Sequence, residues 1–94
     1  MNRRPTTVAE YLRTQIALSG RSQRDIAREM GYENPNIITM FKQGHTKVPP
    51  AAVESLARAI GADPAHLLRL VLGEYEPKLL ALIDRLLTPC TVIT

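Results

Sequence analysis

The chain has no tryptophan, one phenylalanine and three tyrosines in 94 residues. Its core must therefore be built from Leu, Ile, Val, Ala and Met. The single cysteine, Cys90, cannot form an intramolecular disulfide. With only His45 and His66 to join it, it also offers no metal-ligand spacing. No apolar run approaches the roughly 20 residues that span a bilayer. The opening "MNRRPTTVAE" has two arginines but no apolar segment behind them, unlike a secretory signal. A soluble, cytoplasmic protein is the expectation. No Walker or dinucleotide fingerprint occurs, and no nucleophile sits beside a base. Neither an enzyme, a cofactor nor a metal is expected. There is no internal repeat, no low-complexity segment and no alternation typical of a half-buried strand.

What is present fits one small domain. Hydrophobic residues make up 45% and charged residues 22%, as in an ordinary folded chain. A chain this short buries a modest core and often gains stability from a partner subunit. The net charge is +3, and its distribution says more than its size. Residues 1–47 hold eight Lys/Arg against four Asp/Glu, whereas residues 48–94 hold four against five. An excess of positive charge in one half suggests a polyanion near it, with a solvated surface as the plain alternative.

Helix punctuation is dense. Thr7 and Glu10 form a capping-box pattern, followed by Val8, Leu12 and Ile16 on one face and a stop at Ser19-Gly20. Ser22 and Asp25 repeat the signal, with Ile26, Ala27 and Met30 inward and Gly31 as the stop. Asn34-Pro35 starts a third helix, because proline suits the first helical position. Ile37, Met40 and Phe41 are expected inward there, and Gly44 closes it. After the loop "HTKVPP", a fourth helix is expected from Pro50 to Ile60, with Val53, Leu56, Ala57 and Ile60 inward. Asp63-Pro64 starts a fifth, carrying Leu67, Leu68, Val71 and Leu72 to Gly73. Pro77 starts a sixth, "PKLLALIDRLL". The fold class is therefore all-α.

The second and third helices meet the steric demands of a helix-turn-helix. Such a pair crosses steeply through a short turn, so the contact needs a small residue. Ala27 fits that place, Gly31 tolerates positive φ, and Tyr32 can tuck an apolar body beneath the turn. Ile37 and Met40 follow at the positions expected to face the core. The stretch "SQRDIAREMGYENPNIITMF" resembles the helix-turn-helix of the Cro and phage-repressor (XRE) family of bacterial and phage transcription regulators. "KVP" and "LARAIGADPAHLLRLVL" resemble the family's fourth and fifth helices, so the likeness covers about residues 8–72. It implies a lambda-repressor-like five-helix DNA-binding domain over 7–73, its helix-turn-helix unit at 22–43. A basic arm at 1–6 and an additional C-terminal helix and tail at 74–94 flank it. The chain departs from the family pattern at Phe41-Lys42-Gln43-Gly44, where the third helix reads as one residue longer, and at Pro35.

The resemblance implies sequence-specific binding to double-stranded DNA by a transcription regulator, a repressor on an inverted-repeat operator. The second helix of the unit would enter the major groove. Glu33, Asn34, Pro35, Ile38 and Thr39 are then the expected base-reading face. Asn can bond adenine, Glu can accept from cytosine N4, and Thr or Ile can touch a thymine methyl, whereas Pro35 brings no side-chain donor. Asn34 has a second reading as a helix cap. Gln23, at the start of the unit's first helix, is expected on a phosphate. Arg24, Asn36, Lys42, His45, Thr46 and Lys47 are further phosphate candidates, and Arg3 and Arg4 can form a reaching arm. For each of these the alternative is a solvated surface, which is also the expectation for Arg13 and Arg28.

The sixth helix is apolar over too much of its circumference for one narrow stripe. Leu79, Leu80, Leu82, Ile83, Leu86 and Leu87 suggest burial on two sides, one against the body and one against a second copy in a homodimer. Closure of the monomer core is the alternative. A reading from a different class is an antitoxin or protein-interaction adaptor that docks a second protein through this helix, since a fold does not fix a function.

Overall fold

The Thr7 hydroxyl accepts from the Glu10 amide at 3.1 Å while the Glu10 carboxylate accepts from the Thr7 amide at 3.2 Å. This capping box launches α1 (Val8–Ser19). The structure is a computed structural model and describes residues 7–87. Arg3, Arg4 and Cys90 lie outside the described residues. Ser22 caps α2 (Gln23–Met30) by accepting from the Asp25 amide. Then come α3 (Asn36–Gln43), a 3-10 turn (Pro50–Ala52), α4 (Val53–Ile60), α5 (Pro64–Tyr75) and α6 (Pro77–Leu87). The described residues are all-helical.

The first five helices share one core. Leu12, Ile26, Ile38, Phe41, Leu56 and Leu67 are fully buried, joined by Val8, Val48 and Val71. Each such aliphatic side chain contributes roughly 1.5–3 kcal/mol when removed from water. No polar or charged residue is buried among the described residues, so no buried charge offsets that gain. The packing is α1 on α3, α2 on α3 and α4, and α4 on α5. Two polar ties close the ends. The Glu74 carboxylate of α5 accepts from the Val8 amide at 2.8 Å, meeting an otherwise unpaired donor at the start of α1. Arg21 donates to the Ala59 carbonyl near the end of α4 and to Glu29.

Three expectations change here. The fourth helix does not begin at Pro50: Pro50, Ala51 and Ala52 form a 3-10 turn before α4 starts at Val53. Gly73 is not a stop, because α5 runs through it to Tyr75. A Cβ there would meet Leu80 Cδ2 of α6 at 3.5 Å, an ordinary contact distance, so the approach of α6 does not require a glycine. Leu68, expected inward, is 37% exposed. It is one residue past Leu67, and a helix turns about 100° per residue.

Helix α6 packs on α5. Leu80 faces Gly73, and Asp84 receives both nitrogens of the Arg69 guanidinium at 2.9 Å. No helix among the described residues is long and apolar enough to cross a membrane.

Candidate nucleic-acid interface

The α2–α3 turn is built around Gly31 at φ 92°, a conformation that carries a penalty for any residue with a Cβ. There the Tyr32 amide donates to the Ala27 carbonyl at 2.8 Å and the Gly31 amide to the Arg28 carbonyl at 3.0 Å. Ala27 is buried at the crossing. Tyr32 lies edge-on to Phe41 with ring centroids 6.3 Å apart, pinning the turn to α3.

Helix α3 runs from Asn36 to Gln43. The Asn34 carboxamide accepts from the Asn36 amide at 2.9 Å across Pro35, and the helix begins at Asn36. Asp63-Pro64-Ala65 starts α5 by the same device, Asp63 accepting from the Ala65 amide at 3.1 Å. The capping reading of Asn34 is thus the one its hydrogen bond supports.

Packing against α1 and α2 sets the rotation of α3. Ile38 is 0% exposed and Phe41 is 2% exposed, so they form the inner face. Ile38 is therefore corrected: it is core, and it does not belong to a base-reading face. Ile37 and Met40, expected inward, are only partly covered. With Ile38 and Phe41 inward, the helical repeat turns Asn36, Thr39, Met40 and Gln43 away from the core. Gln43 and Met40 were missed by the sequence reading. Glu33 and Asn34 are exposed in the turn, and Pro35 is half-buried.

A small network joins the two helices on this side. Gln23 Nε2 donates to Thr39 Oγ1 at 2.7 Å, and Lys42 Nζ donates to Gln23 Oε1 at 3.0 Å. The Lys42 carbonyl accepts from Arg13 Nη1 at 2.6 Å. A cation at a helix C-terminus is well placed against the helix dipole. Arg13, expected as plain surface, is thereby brought to the end of α3 from 29 residues away.

Charge is partitioned. Arg21 pairs with Glu29, Arg58 with Glu54 and Arg69 with Asp84. Arg13, Arg24, Arg28 and Lys42, all on or beside α2 and α3, have no acidic partner among the described residues. Lys78 and Arg85 of α6 are likewise unpaired among them. His45 is exposed, Thr46 half-buried, and Asn36 exposed on the first turn of α3. Lys47 is exposed, and its ammonium sits 5.3 Å from the centroid of the Tyr75 ring of α5. Burial pushes the Tyr75 phenol above its ordinary value, partly opposed by a hydrogen bond to the Val48 backbone, while Glu74 adds to the rise. No group of three His, Cys, Asp or Glu among the described residues is placed to hold a metal ion.

The outer face of α6 is apolar. Leu79 is 42% exposed, Leu82 38%, Leu86 64% and Leu87 73%, while Leu80 and Ile83 are half-buried. Of the six residues expected to dimerise, Leu80 is taken up by α5. No family model, curated protein or solved structure matches the chain.

Proposed function

We propose that this chain is a sequence-specific, double-stranded DNA-binding regulator of transcription. In this reading it has a lambda-repressor-like fold and works as a repressor in the cytoplasm. Helix α3 enters the major groove and the first turn of α2 meets the backbone. One observation carries the reading. Arg24, Arg28 and Lys42 of the α2–α3 pair have no acidic partner among the described residues, a property they share with Lys47, Lys78 and Arg85, and only on α2–α3 do such cations stand on the same pair of helices as exposed Asn36 and Gln43. Unpaired cations keep their charge for phosphate, and exposed Asn36, Gln43 and half-exposed Thr39 offer hydrogen bonds to base edges.

Gln23, Arg24 and exposed Lys47 are assigned to phosphate, and Arg28 joins them in this reading. The leucine face of α6 supports a homodimer. Two copies would set their α3 helices about 34 Å apart and read an inverted repeat.

The test is selection of binding sequences from random duplex DNA by the full chain, followed by a salt series on the winner. Affinity should fall steeply with salt, and Arg24→Ala should weaken all duplexes alike while lowering the salt slope by about one. Equal, salt-insensitive binding to every duplex would sink the proposal. The exposed leucines also favour a second reading, an antitoxin or adaptor that docks another protein on α6. A partner that co-purifies with the chain and is lost on Leu82→Glu would support it.

A further inference from the structure

We infer that Met40 reads a thymine by its methyl group. The inference rests on the DNA-binding reading above and names what one position of that face recognises. Helix α3 carries four apolar residues, Ile37, Ile38, Met40 and Phe41. Ile38 and Phe41 are buried, and Ile37 packs against the core. Met40 joins neither group among the described residues. It is half-buried and lines a shallow hollow with Asn36, Ile37 and the turn residues 31–34. It stands four residues after Asn36 and three before Gln43, so it neighbours both on the helix surface. An apolar side chain thus lies between two exposed carboxamides, on the side of α3 turned from the core.

The chemistry of the side chain decides what it can read. Methionine has no hydrogen-bond donor, and its thioether sulfur is a weak acceptor. What it offers a groove is apolar surface on a flexible stem that adapts to its contact. Base edges in the major groove present amino groups, keto oxygens and ring nitrogens, and the thymine C5 methyl is the one apolar group among them. Against an amino group or a keto oxygen, Met40 would strip water from a polar atom and return little in exchange. Against thymine it covers the methyl and hides its own surface from water in the same contact.

The experiment uses the full chain and the duplex it selects from random DNA. That duplex is remade with each thymine in turn replaced by uracil, which removes the methyl and nothing else. Affinities are measured for the wild type, Met40→Leu and Met40→Ala, with helicity checked by circular dichroism. The wild type should lose about fourfold at one thymine of each half-site, the worth of one buried methylene-sized group. With cytosine placed there instead, a methyl added at its C5 should recover about the same factor. Met40→Leu should keep the loss on uracil. Met40→Ala should bind the thymine and uracil duplexes alike at that position, while uracil elsewhere acts on it as on the wild type. A wild type indifferent to uracil at every position overturns the inference while leaving DNA binding intact. So does a Met40→Ala chain that still tells thymine from uracil at each of them. A chain that selects no sequence at all overturns both readings.

Discussion

Ile38 sits beneath the α2–α3 crossing with none of its side chain in water. Truncating it leaves a hole that close-packed neighbours fill only in part. Ile38→Ala should therefore cost about 2–5 kcal/mol, read as a lower midpoint in urea denaturation. A base-reading residue would instead lose sequence preference at little cost in stability, so the two roles give opposite results. Tyr11 is a second informative residue. It lies edge-on to His66 with centroids 5.2 Å apart, and burial, with a smaller push from Asp63, raises its phenol above the ordinary value. A raised value means the fold holds the proton more tightly than the unfolded chain does. Its stabilising effect is complete below the ordinary tyrosine value and is lost as pH climbs through about 10 and beyond. Urea melts of wild type and Tyr11→Phe should show the wild type losing more stability between about pH 9 and about pH 11.

At the scale of the helix, the Asn34 carboxamide accepts from the first amide of α3, that of Asn36, across Pro35 at the cap position. Asn34→Ala should cost about 1 kcal/mol of stability and fray the first turn. Two glycines make an opposed pair. Gly31 has φ 92°, so Gly31→Ala forces a Cβ into a strained conformation and should destabilise by about 1 kcal/mol or more. Gly73 lies inside α5, where an added Cβ meets Leu80 at an ordinary contact distance of 3.5 Å. Gly73→Ala should therefore stabilise by up to about 1 kcal/mol, through the lower entropy of the unfolded chain and a better helix former. Thermal melts of the two variants should move in opposite directions.

For the whole molecule, α6 is the exception to an otherwise closed core. It packs on α5 and turns Leu79, Leu82, Leu86 and Leu87 outward. A run of exposed leucines on one short helix is the kind of patch that partners cover. Wild type should sediment at twice the chain mass of 10.5 kDa, and Leu82→Glu should sediment as a monomer with the fold retained. If DNA binding needs two copies, the same variant should lose cooperative binding to an inverted repeat. That result would also separate the regulator from an adaptor, whose partner would be a different chain.

The chain's own order of residues determined most helix starts and stops, the start at Val53 and the run of α5 through Gly73 excepted, and most of the core. Thr7, Ser22, Asn34 and Asp63 act on amides two or three positions away, and apolar spacing repeats within a turn or two, so both are local. The all-α class and the place of the turn after α2 followed from these signals. The rotation of α3 did not, since one more residue between Gly31 and the helix start swings each side chain by about 100°. Phe41 is inside as its spacing predicts, but only packing against α1 and α2 put Ile38 there as well and left Ile37 and Met40 partly covered. The same holds for Arg13 at the end of α3, Thr39 against Gln23, and Leu80 against Gly73. Each pair joins separate helices, and such contacts are decided only when the whole core closes.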